Sequence, residues 1–133
     1  ELKVGDNQRL PFADCIFDIL LSTHVIHYLD SAASIAEALS EYARVLKPGG
    51  RLIMQTGHPE NWLLQGAQPL GGHLFRVKNQ QDFRDEEALF VFENREMIEE
   101  YLEPHFRELQ VGFNCQEFFT KCLKHWVVSA LRR

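Results

Sequence analysis

No uninterrupted apolar segment in this chain approaches the roughly 20 residues needed to cross a bilayer, and the opening stretch ELKVGDNQRL carries no signal-peptide core. No membrane partner is therefore expected. Positive charge is also short: 14 Lys and Arg stand against 19 Asp and Glu, a formal net charge of −5. A protein that neutralises a phosphate backbone draws on an excess of Lys and Arg, so nucleic acid is not an expected partner. Cysteine is scarce, and Cys15, Cys115 and Cys122 give an odd count with no tight pairing, which fits a reducing cytoplasm better than a disulfide-stapled secreted domain. Cys115 and Cys122 stand too far apart for a Cys-x-x-Cys knuckle, so no metal is expected. The eight glycines never fall into a G-x-G-x-x-G or G-x-G-x-G turn. Ser22 lacks the G-x-S-x-G elbow of a hydrolase nucleophile.

What the chain does have is an ordinary globular balance, 45% hydrophobic and 25% charged over 133 residues, enough for a single domain over residues 1–133 with a real core. Leu2–Val4 reads as the end of a strand entered almost at once, without an initiating Met, so an upstream part of the fold is expected to be absent. Phe17–Leu21 (FDILL) is a continuous apolar run, the pattern of a strand covered on both faces. After Asp30 or Ser31 as N-cap, SAASIAEALSEYARVLK places Ile35, Leu39, Tyr42 and Leu46 on one helical face. Lys47-Pro48-Gly49-Gly50 stops that helix, and a second strand follows over Arg51–Thr56. Strand, helix, tight turn, strand is a βαβ unit, which makes the two strands parallel neighbours.

Farther along, residues 57–81 read as a long loop with Trp62, Leu63, Leu64, Leu74 and Phe75 in it, a length that is usually functional. Glu87–Glu93 reads as a strand or as the lead into a helix. Asn94 caps REMIEEYLEPHF, Phe106–Phe113 reads as a strand, Gln116–Leu123 stays ambiguous, and His125–Leu131 reads as a closing strand.

In open parallel sheets ligands bind outside the carboxyl ends of the strands, where successive loops converge. Three apolar runs here end in polar or glycine-containing turns: Gly5-Asp6-Asn7, Ser22-Thr23-His24 and Gly57-His58. All three are expected on one rim, where polar side chains can hydrogen-bond a ligand instead of being buried.

GDNQRLPFADCIFDILLSTHVIHYL followed by EYARVLKPGGRLIM resembles the middle of the class I S-adenosylmethionine-dependent methyltransferases, in particular the small-molecule, methyltransferase type 11-like group. The resemblance spans Val4 to about Gln55. It implies an α/β, Rossmann-like methyltransferase sheet, mostly parallel with an antiparallel C-terminal strand, of which this chain is the C-terminal part. It implies S-adenosylmethionine as cofactor, with Asp6 accepting a hydrogen bond from the adenine amino group, Asn7 meeting the ring, and Ser22 and Thr23 beside the methionine portion. His24 and His27 would lie near the methyl-transfer pocket, and His58, opening the long loop, is a third catalytic candidate. The partner would be a small-molecule methyl acceptor. The family's glycine-rich first turn and its ribose-binding acid have no counterpart here.

Simpler readings stand beside these. Asp6 fits a turn cap, and only the resemblance turns the balance toward adenine. His24 and His27, at i and i+3, suit hydrogen-bonded structural histidines better than catalytic ones. His58 beside Pro59 suits a turn. Two functions follow: methyl transfer by the complete domain, the 133 residues alone being inactive, or a non-catalytic binding or dimerisation module. In the 133 residues alone, an unpaired edge at Phe17–Leu21 would invite a homodimer.

Overall fold

The computed structural model describes residues 2–133. Its central sheet has four strands in the order β1-β2-β7-β6: β1 (Phe17–Thr23), β2 (Leu46–Gly57), β6 (Phe106–Phe118) and β7 (Lys121–Arg132). Helix α1 (Ala32–Val45) links β1 to β2, and α2 (Arg95–Leu102) precedes β6. A smaller antiparallel sheet, β3 (Gln68–Gly71), β4 (Leu74–Arg76) and β5 (Ala88–Phe90), lies between them in sequence.

The βαβ reading holds. Ser31 caps α1 by accepting from the Ser34 N–H, and β1 and β2 pair in parallel, Leu20 opposite Leu52 and Ser22 opposite Met54. The glycine turn is folded into the strand as a bulge, since the register jumps from Phe17↔Leu46 to Ile19↔Arg51. Gly49 takes φ +74, and a Cβ on Gly50 would come within 2.8 Å of the Lys47 carbonyl, so close backbone approach requires glycine there. Asn94 caps α2 through the Met97 N–H, and β6 and β7 form an antiparallel hairpin.

The sheet is mixed and largely antiparallel rather than mostly parallel. Only β1–β2 runs parallel, while β2–β7 and β7–β6 are antiparallel. The reason is connectivity: this chain contains one βαβ crossover, and its last two strands are joined by a tight hairpin that must reverse direction. Leu2–Val4 is not a strand; Leu2 and Val4 lie fully exposed. Residues 57–81 are not a plain loop either, for they contain a 3₁₀ turn, Trp62–Leu64, and strands β3 and β4. Cys115 and Cys122 are joined in a disulfide across the β6–β7 hairpin, which corrects the unpaired reading. The hairpin folds back between them, so seven residues of separation become cross-strand proximity.

One face of the sheet is closed by α1 and α2. Ile35, Ala38, Leu39 and Tyr42 from α1 and Ile98 and Leu102 from α2 pack with Leu52 and Met54 of β2, Val128 and Ala130 of β7 and Phe106. The alternating burial along β2 follows from its pleat. The other face is open at β1, where Ile19 and Leu21 are 61% and 66% exposed. The expectation that this strand is covered on both faces therefore fails here, and β1 is an edge strand.

Candidate functional site

Because β1 and β2 run parallel and β7 runs opposite to β2, the carboxyl ends of the first two and the start of the third share one rim. His125 is the first residue of β7 to pair with β2, opposite Gly57. Lys121–Lys124 pair with β6 alone, so the hairpin projects roughly 13 Å beyond the rim at about 3.3 Å per residue.

At one side of this rim stands the Asp6 turn. The Asp6 carboxylate accepts from the backbone N–H groups of Gln8 (2.9 Å) and Arg9 (2.7 Å) through the same oxygen, so the turn-cap reading is correct as far as it goes. The residue is exposed, and its second oxygen can accept from a ligand. Next to it, Tyr42 of α1 donates its hydroxyl to the Asn7 side-chain oxygen (2.6 Å) and lies 2.9 Å from the Ser22 hydroxyl. This polar chain ties the Asp6–Asn7 turn to the end of β1 through a buried tyrosine, whose pKa burial raises. A groove of about 290 Å³ runs from Asn7 past Leu10, Ile19 and Leu21 to Ser22. Thr23 is exposed at the strand end.

The other side is built from histidines. His24 has φ +57, a left-handed conformation uncommon for a non-glycine residue, and its N–H donates to the Gln55 carbonyl at 2.9 Å. Its ring stands edge-on to His125, centroids 4.3 Å apart, and 6.3 Å from His27. His27 sits in the 3₁₀ turn Ile26–Tyr28, buried, with Nδ1 3.5 Å from the Thr56 hydroxyl. Burial, reinforced by the neighbouring imidazoles and by Arg84, holds His27 down at about 4; burial, His24 and Arg84 do the same to His125. His24 is lowered too, by burial first and Arg84 second, with Gln55 opposing. All three are therefore neutral at pH 7. His58 packs instead on Trp126 (4.2 Å) and Phe113 (5.6 Å), and its Nδ1 accepts from the Glu60 N–H. The structure thus gathers His24 and His27 around His125 and assigns His58 to a packed turn. Among the described residues, no group of three or more His, Cys, Asp or Glu is placed to hold a metal ion.

Sequence reasoning missed His125, Asn61 and Arg84. Asn61 caps the turn Trp62–Leu64 by accepting from the Leu63 N–H, and its amide lies 3.3 Å from His125 Nε2. Arg84 is held by two side-chain bonds to Asp82 (2.8 and 3.0 Å). The available signal was the pairing of the closing strand with β2, which brings His125 to the rim.

Residues 1–54 match a family described as "Methyltransferase domain". The chain is 28% identical to "Demethylmenaquinone methyltransferase" of Lactiplantibacillus plantarum over 135 residues, covering 90% of this chain and 56% of that protein. It is 44% identical over 54 residues to the Mus musculus protein named "Probable tRNA methyltransferase 9B", covering 41% of this chain and 12% of the other. A solved SAM-dependent methyltransferase structure from Methanosarcina mazei shares the fold, with a TM-score of 0.73 at 18% identity over 97% of this chain and 65% of that one. The chain spans less than two thirds of the length of each. The resemblance to class I S-adenosylmethionine-dependent methyltransferases read from Val4–Gln55 is borne out.

Proposed function

We propose that this chain is the C-terminal portion of a class I methyltransferase domain that transfers a methyl group from S-adenosylmethionine to a small-molecule acceptor. The observation that carries the reading is the Asn7–Tyr42–Ser22 chain. It couples the turn that would receive adenine to the strand end that would receive the methionine portion, as a ligand lying across the rim requires. Asp6, fixed by two backbone bonds, would accept from the adenine amino group; Asn7 would meet the ring, and Ser22 and Thr23 would flank the methionine portion. When bound, the cofactor supplies an electrophilic methyl on a sulfonium; the protein's part is to align the acceptor and exclude water.

A small acceptor is favoured over tRNA because the net charge of −5 opposes a phosphate backbone. The catalytic candidates narrow to His24 and His27, because His58 is engaged in packing. Of these, His24 is the accessible one. In the complete domain, preceding polypeptide would cover the apolar edge at Ile19 and Leu21; association of two copies through β1 is the competing arrangement.

The test is calorimetric titration of S-adenosylhomocysteine into the complete polypeptide and its Asp6→Ala variant. Loss of one hydrogen-bond acceptor should weaken binding by about 1–2 kcal/mol, roughly five- to thirtyfold. Unchanged affinity would refute the Asp6 assignment.

A further inference from the structure

We propose that the small cavity between His125, Asn61, Arg84 and His27 is a subsite for an anionic oxygen of the methyl acceptor, a carboxylate or an ionised hydroxyl; as an acceptor site it rests on the methyl-transfer reading above. The cavity measures about 20 Å³ and is walled elsewhere by Leu63, Leu89 and Phe90. Its volume suits one polar group of about the size of a water molecule, so it holds the end of a ligand whose body lies outside.

The sign of that group follows from hydrogen-bond roles. The Asn61 amide is fixed in orientation, since its oxygen accepts from the Leu63 N–H (3.0 Å) and its nitrogen donates to the Lys124 carbonyl (2.7 Å). The same nitrogen faces His125 Nε2 at 3.3 Å, so Nε2 must accept. In the neutral ring the proton then sits on Nδ1. His125 Nδ1 is buried with no protein partner, and an unmade hydrogen bond at a buried donor is costly. His125 therefore offers an N–H that requires an acceptor.

Charge agrees with this. The titratable groups lining the cavity are His27, Arg84 and His125, with His24 packed against His125 and Asp82 paired to Arg84. The imidazoles are neutral at pH 7, and both carboxylate oxygens of Asp82 are taken up by Arg84. A cationic ammonium acceptor would meet Arg84 and an N–H donor with no free carboxylate; an oxyanion meets two donors.

The experiment is side-chain ¹H–¹⁵N NMR of the full chain, labelled at histidine, titrated in separate arms with acetate, 4-nitrophenolate and methylammonium. Saturable shifts of the His125 ring are expected with at least one anion, with the responding arm identifying carboxylate or phenolate chemistry, and none with methylammonium. Arg84→Gln, a substitution in a partly exposed loop, should weaken the anion's affinity roughly tenfold or more. An Asn61→Asp variant, which puts a carboxylate beside His125, should do the same by repulsion. Saturation by methylammonium, no saturation by either anion, or unchanged affinity in both variants would overturn the proposal. S-adenosylhomocysteine is titrated into the same samples. Anion binding without it would count against the methyl-transfer reading and leave the subsite standing; the reverse would sink the subsite alone.

Discussion

The two sides of the rim are built by different means. On the Asp6 side the polar groups come from one local stretch, Gly5–Thr23, which a single element, α1, locks in place through Tyr42, Glu41 and Arg44. On the His125 side, His27, Asn61, Arg84 and His125 come from four separate segments that only the folding of β2, the small sheet and the β6–β7 hairpin brings together. The first arrangement is local, while the second depends on loops that lie far apart in the chain and meet only in the fold.

Both sides stand on the same core, so the change with the largest expected effect should break them together. Leu39 of α1 is fully buried within the main cluster, and Leu39→Ala should cost about 2–5 kcal/mol. Urea unfolding followed separately at Trp126 and by backbone amides near Asp6 would reveal whether the two sides unfold in one transition, as expected, or in two.

Acid should separate them. The folded pKa of His27, about 4, lies below its ordinary value of 6.5, so the unfolded chain takes the proton first as pH falls. Stability from this source is intact above about pH 6.5 and declines toward pH 4 by up to roughly 3 kcal/mol. His125 shifts in the same direction. Thermal melts between pH 7 and 4 should show that decline, and His27→Asn should flatten it; an unchanged slope would mean that His27 is not the group responsible.

Tyr42→Phe sharpens the comparison from the other side. It removes the hydroxyl between Asn7 and Ser22 and leaves a buried Ser22 without that partner, at a cost of about 1–3 kcal/mol. Histidine ring resonances at His24, His27 and His125 should be unmoved. The smallest effect belongs to the exposed Lys47–Asp18 pair, where Asp18→Ala should change stability by less than about 1 kcal/mol, read as a small shift in urea midpoint.

These contrasts explain what could be read in the chain beforehand. The Ser31 and Asn94 caps, the α1 stripe and the parallel β1–β2 pair are local patterns or follow from one handedness rule, so the residues specify them directly. The exposure of Ile19 and Leu21 was hidden because an all-apolar run carries no alternation to show which face is open. Gln68–Gly71 and Leu74–Arg76 were hidden in a glycine- and proline-rich stretch, where β3 pairs with β4 and β4 in turn with β5, a partner lying beyond the stretch in the chain. Cys115–Cys122 and His125 were missed for the same reason, since only cross-strand register brings them to their partners.

The most direct measurement is a map of where S-adenosylhomocysteine sits, by crystallography or amide NMR on the complete polypeptide. The account predicts adenine contacts at Asp6 and Asn7 and the amino-acid end at Ser22 and Thr23, with the His125 cavity left to the acceptor. A cofactor bound away from the Asn7–Tyr42–Ser22 chain, or with its adenine in the His125 cavity, would contradict it.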